Sequence, residues 1–355
     1  MSITENKIDT DSVAGNSTSD DLQTIITERK QRIFNYKTLI FLLFSIILAF
    51  FLIKSIDTNK TYDTLKNADF ALMSLSILIY AFSNFFKMIR FKVLLKNKIP
   101  LYKFYTIVSY HNFFNMIMPA RTGELTLVYY LKKIGGVKAS KGLHSLILAR
   151  IFDLIVVSIY FVIALLVYYG TQTSKSLLAL GIIVGLFSFI FLLKISFVLS
   201  WSTNVIKKIF KAIHLDKHRF VVSFINKLVE INDEFKNFNT GSYLPLMILT
   251  SVFVWLALYT LSYISIIVLN VEITYLKTII GSTGAILTNV LPINSFGSFG
   301  TLEAGWTGGF ILVGMSAQDA ITTGFGAHVI NFLASAVVAL LSKIVFEIKR
   351  LSVKE

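Results

Sequence analysis

Two apolar stretches of this chain, 104–131 and 278–314, are broken in the middle by Pro and Gly beside charged residues. They sit among six unbroken apolar runs: 38–53, 70–86, 143–169, 177–193, 243–269 and 321–341. About 20 mostly apolar residues make a helix that crosses a bilayer, so the unbroken runs predict six full spans. Irregular backbone survives at membrane depth only where it is buried in protein or lines a cavity. The two breaks are therefore where function is expected. An ordinary soluble enzyme is excluded, and composition agrees. The chain is 55% hydrophobic and 15% charged, against about a quarter charged in soluble domains.

The charge pattern orients the spans. Lys and Arg gather in cytoplasmic loops. The stretches 87–103 and 132–142 are strongly basic and hold no acid, whereas 54–69 and 270–277 are neutral. This places both termini in the cytoplasm. The stretch 104–131 lies between two basic segments and 278–314 between two outer loops. Each becomes a membrane hairpin, and the two enter from opposite faces. The net charge of +14 then meets anionic lipid rather than nucleic acid.

Residues 1–37 read as a disordered acidic tail with a basic juxtamembrane end at Arg29, Lys30, Arg32 and Lys37. No small-residue cleavage site follows the first span, so a cleaved signal peptide is not expected. Residues 38–345 form one transmembrane domain, and 346–355 a basic tail. Within the cytoplasmic segment 205–235, Val205, Ile206, Ile209, Phe210 and Ile213 share one helical face. That face suits either the inner leaflet or the protein's own cytoplasmic surface.

The first break runs Met118-Pro119-Ala120-Arg121-Thr122-Gly123-Glu124. The second carries Pro292, Gly297 and Gly300 ahead of Glu303. Each hairpin follows one full span and precedes another. Inverted repeats whose broken helices meet near the midplane have this layout; two ordinary apolar loops are the alternative. The expected fold is an all-α polytopic membrane protein with six full spans and two Pro/Gly-broken hairpins in an inverted repeat.

Ionisable residues inside a membrane are costly and face a cavity or a partner. Five stand out: Arg121, Glu124, Arg150, Asp153 and Glu303. Arg150 and Asp153 share a helical face. They either form an internal ion pair or let Asp153 orient Arg150 or Arg121 toward an anionic headgroup. Arg121 sits at the first break, and its planar guanidinium suits phosphate; pairing with Glu124 alone is the other reading. His111, His144 and His328 have no metal-site spacing, and helix–helix hydrogen bonds suit them better. Asp319 suits a helix N-cap, and Gly308, Gly309 and Gly314 suit close helix packing. There is no Cys, no phosphate loop, no dinucleotide fingerprint and no catalytic triad. No enzyme activity, metal or cofactor is expected.

The run Pro119-Ala-Arg-Thr-Gly-Glu124-Leu, followed by a basic linker and Arg150-Ile-Phe-Asp153, resembles the transmembrane region of lysylphosphatidylglycerol synthases and their stand-alone flippase-like relatives. Leu291-Pro292 followed by Gly297-x-x-Gly300-x-x-Glu303 resembles the family's second signature. The resemblance covers about 38–345. It implies movement of a polar-headed lipid between leaflets. The aminoacyl-transfer domain of the synthase members is not expected here, and some relatives are tied to polyprenyl-linked sugars. Ala149 stands where many relatives have an acid, and His328 where some place Arg, which bears on the substrate.

The leading expectation is a flippase-like protein that moves a phospholipid or aminoacyl-phospholipid, with Arg121 on the phosphate and Arg150 in support. Glu124, Asp153 and Glu303 would balance charge or meet a cationic headgroup. One rival is a secondary transporter of a small anion. Another is a non-transporting subunit of a glycolipid or envelope pathway. The expected partners are membrane lipids with anionic headgroups and an envelope-synthesis enzyme, and no nucleic acid. The expected location is the cytoplasmic membrane of a prokaryote. The sequence leaves the oligomeric state open.

Overall fold

The structure, a computed structural model, describes residues 69–96, 99–237, 240–290 and 300–352. The predicted tail 1–37, the predicted span 38–53, the breaks Pro292 and Gly297, and the last residues of the basic tail lie outside them. Among the described residues every regular element is helical. The α-helices are α1 Phe70–Leu95, α2 Leu101–Ile117, α3 Leu125–Gly135, α4 Ala139–Tyr169, α5 Lys175–Ala212, α6 Arg219–Lys236, α7 Thr240–Val268, α8 Tyr275–Val290, α9 Thr301–Leu312 and α10 Ala317–Leu351. Five of these, α1, α4, α5, α7 and α10, are long and apolar enough to cross a membrane.

Local chemistry sets the ends. The Asp69 carboxylate accepts the Ala71 and Leu72 N–H groups at 2.7 and 3.4 Å and starts α1. Lys96 closes α1 in the left-handed region, and Gly136 does the same for α3. Ser316 caps α10: its Oγ accepts the Asp319 N–H and donates to the Asp319 carboxylate. Asp319 therefore supports the cap from the first turn and is not itself the N-cap.

Both broken stretches fold back on themselves. In the first, a 3-10 turn over Pro119–Glu124 joins α2 to α3. Ile99 and Phe104 at the start of α2 share a core with Leu131 and Val137 at the end of α3. In the second, Ile279 and Ile280 of α8 pack with Phe310 of α9 and Val313 beyond it. The two cores meet α4 at different ends. Leu146 and Ala149 join the first, and Phe161, Ala164 and Leu165 join the second. α4 is thus a spine with one hairpin on each half.

The legs of the second hairpin touch backbone to backbone. A Cβ on Gly309 would fall 2.0 Å from the Gly281 carbonyl oxygen, and one on Gly284 would fall 2.4 Å from that of Gly305. Gly308, next in sequence, faces open space. Gly314 serves a left-handed turn at φ 86° and not helix packing. Overpacking costs about 1–3 kcal/mol, so Gly309→Ala is expected to lower unfolding stability in detergent by that amount. Gly308→Ala should be neutral or stabilising by up to about 1 kcal/mol. Equal effects of the two would contradict the close approach.

Two further expectations need correction. First, α1 runs on to Leu95. Lys87, Arg90 and Lys92 are therefore helical and not part of a cytoplasmic loop, and Arg90 is only 2% exposed. The reason is that α1 turns its charged face inward onto α4. Second, Val205–Ile206–Ile209–Phe210 belong to the continuous end of α5. Within 205–235 the separate amphipathic helix is α6, and it buries Val221, Ile225, Ile231 and Phe235 against α4 and α5.

Candidate functional site

Asp153 organises the centre. It sits on α4 between the two hairpin cores and is 6% exposed. Arg90 of α1 reaches it in a two-pronged contact, Nη1 to Oδ1 at 2.6 Å and Nη2 to Oδ2 at 3.4 Å. Trp255 of α7 donates its indole N–H to the same Oδ1 at 3.0 Å. Arg90 Nη1 also donates to Ser251 Oγ of α7 at 2.9 Å. Three helices are tied together by one carboxylate. A buried charge is tolerated when it is paired and hydrogen-bonded, as here.

Arg150, one turn before Asp153, continues the charge chain. Its Nη1 lies 3.8 Å from Asp153 Oδ2 and its Nη2 lies 3.1 Å from Glu124 Oε1. Glu124 closes the first hairpin turn and also accepts from Arg121 Nη1 at 3.0 Å. Charges alternate along the row Arg121, Glu124, Arg150, Asp153, Arg90. The side chain of Arg150 is the most exposed of the five, at 40%. Arg121 is held at φ 56°, a conformation that disfavours most side chains. Gly123 lets the turn press on α2, since a Cβ there would lie 2.4 Å from Asn115 Cα.

A cavity of about 240 Å³ opens beside this row. Lys87, Arg150, Asp153, Asn112 and Asn115 form its charged end. Trp255, Tyr259, Trp306, His328 and Asn331 line the rest. Lys87 approaches Asn112 Oδ1 at 3.5 Å, and Asn112 in turn donates to Asn84 Oδ1 at 2.6 Å. At the second hairpin, Glu303 is fully buried. Its Oε1 lies 2.5 Å from His328 Nδ1 on α10, and its Oε2 accepts the Gly300 N–H at 2.5 Å. That last contact satisfies a buried N–H at the start of α9, where negative charge is favoured.

The five residues singled out from sequence thus fall in two groups. Arg121, Glu124, Arg150 and Asp153 form one connected row. Glu303 stands apart, behind His328. Arg150 and Asp153 line the cavity, whereas Arg121, Glu124 and Glu303 do not. Sequence reasoning missed Lys87 and Arg90. The signal was present: Asn84, Lys87 and Arg90 recur every third residue and so share a helical face. His111 contacts Thr126 Oγ1 at 3.4 Å, and His144 meets the Phe235 ring edge-on. Among the described residues no group of His, Asp and Glu is arranged to hold a metal.

Long apolar helices enclosing a buried charge row and a polar cavity define an all-helical integral membrane protein. Its residues 38–339 match the family described as lysylphosphatidylglycerol synthase TM region, and the chain belongs to that family. The family's name ties it to lipid metabolism. No curated protein matches the chain.

Proposed function

We propose that this protein moves a phosphate-bearing lipid between leaflets, with the headgroup passing through the central cavity and the acyl chains staying in the bilayer. The observation that carries this reading is the charge balance at the cavity. Asp153 is matched by Arg90 and Glu124 by Arg121, which leaves the positive charges of Lys87 and Arg150 to face the cavity. A phosphodiester brings one negative charge to these two positive ones, and the Arg150 fork suits its oxygens. The cavity, about 240 Å³, is below the ~300–1,000 Å³ usual for small-molecule pockets. It takes a headgroup and not the lipid tails. Arg121 acts through Glu124, which positions Arg150.

The same reading includes an inverted repeat. The unit α1, α2–α3, α4 is followed by the unit α7, α8–α9, α10. Arg150 lies as far into α4 from Ala139 as His328 lies into α10 from Ala317. Each is bonded to a Glu from the hairpin of its own unit. Asp153 and Asn331 then take matching places in the cavity. Six spans with both termini in the cytoplasm, a prokaryotic cytoplasmic membrane and no enzymatic step complete the proposal.

Liposomes reconstituted with the protein and fluorescently labelled phosphatidylglycerol test it. Transbilayer movement faster than in protein-free liposomes supports lipid movement. Movement equal to protein-free liposomes overturns it. Uptake of soluble phosphate without lipid movement replaces it with the small-anion reading.

A further inference from the structure

The Glu303–His328 pair takes no part in the charge row on α4, yet His328 lines the cavity that Lys87 and Arg150 face. Resting on the lipid reading above, we infer that this pair is a proton site, and that the protein takes up a proton together with the anionic headgroup.

The chemistry begins with burial. Glu303 is 0% and His328 3% exposed. An ionised carboxylate buried alone is very costly. Here it has two close partners, the His328 ring and the Gly300 N–H. A carboxylate beside an imidazole has two states that differ by one proton, one with a net charge of −1 and one net neutral. Without the proton it is an ionised Glu303 that accepts from a neutral ring. With the proton it is an ion pair with imidazolium. Histidine is the side chain whose charge changes within the physiological range, and this one stands between the cavity and the buried acid. A proton enters from cavity water onto the ring, and no other bond is made or broken.

The surroundings make proton and anion cooperate. The titratable and charged groups facing the cavity are Tyr80 and Lys87 from α1, Arg150 and Asp153 from α4, and Tyr259 from α7. At the cavity α2 presents Asn112 and Asn115, and α8 presents Ser282, all neutral. With Asp153 matched by Arg90, an empty cavity is left with two positive charges, Lys87 and Arg150, that oppose a third on His328. A phosphodiester between them carries one negative charge, lowers that opposition and so favours the proton. Linkage is reciprocal, so the proton must tighten the anion to the same degree. The row on α4 offers no such site, because each of its carboxylates is already held by arginine.

Short-chain dihexanoyl phosphatidylglycerol, added to the full-length protein in weakly buffered detergent, reads this out through a pH indicator. Net proton uptake on binding is expected, with affinity rising as pH falls by up to tenfold per unit for a single coupled proton. His328→Gln and Glu303→Gln should each abolish the uptake and flatten the pH dependence of affinity. Binding by the wild-type protein without proton uptake between pH 5 and 8 overturns the proton site and leaves the lipid reading standing. No binding of the lipid at any pH overturns both. Uptake with inorganic phosphate but not with lipid keeps the proton site and overturns the lipid reading. The wild-type measurement decides even if a variant does not fold.

Discussion

Asp153→Ala is expected to lower the stability of the solubilised protein by about 3–5 kcal/mol, the usual cost of leaving one member of a buried ion pair alone. The stranded group is Arg90, which is 2% exposed. It would keep only its bond to Ser251 Oγ, and the Trp255 N–H would lose its acceptor as well. Asp153→Asn keeps an oxygen for both donors and should cost less. The double variant Arg90→Met with Asp153→Leu should recover most of the loss, because a buried pair replaced by well-packed apolar side chains is often close to neutral. Denaturant or thermal unfolding of the four proteins in one detergent measures this. A loss below about 1 kcal/mol for Asp153→Ala, the range of exposed pairs, would mean that the carboxylate does not anchor α1 and α7 to α4.

Lys87 and Arg150 carry the second large effect, and it falls on transport. A hydrogen bond to a charged group contributes about 1.5–3 kcal/mol, and 1.4 kcal/mol is tenfold in an equilibrium constant. Arg150→Gln or Lys87→Met alone should therefore slow labelled phosphatidylglycerol movement at least about tenfold, and the pair of substitutions about a hundredfold or more. Arg150→Lys should recover only part of the loss, because an ammonium keeps the charge without the planar fork. Stability should fall little with Lys87→Met, whose side chain has one long contact, to Asn112. Wild-type rates in the double variant would remove the phosphate from this end of the cavity.

How much of this was legible in the sequence depends on range. The spans were readable because apolar length is a local property: four of the five described ones fall inside long helices, and 243–269 ends one residue past its helix. The first break was readable because Pro119 and Gly123 are local signals, and it is a 3-10 turn. Arg150 and Asp153 were found because charge is conspicuous on an apolar helix. Their partners were not, because ion pairs between helices depend on packing. Asp153 pairs most closely with Arg90, from another helix, and not with Arg150 one turn away. Arg90 was hidden in a basic stretch whose composition matches a cytoplasmic loop. The spacing of Asn84, Lys87 and Arg90 marks a shared helical face, and the length of α1 places Lys87 and Arg90 within the bundle. Glu303 and His328 were each noticed, but their contact joins α9 to α10 across a turn, and no spacing rule reports it.

The chain has no Cys, so a single Ser262→Cys substitution places one thiol in the wall of the cavity. Cross-linking of that thiol by a phospholipid carrying a maleimide on its headgroup measures occupancy of the cavity directly. A covalent adduct is expected that excess phosphatidylglycerol suppresses and that diacylglycerol, which lacks the phosphate, does not. No adduct, or equal suppression by both lipids, would contradict it.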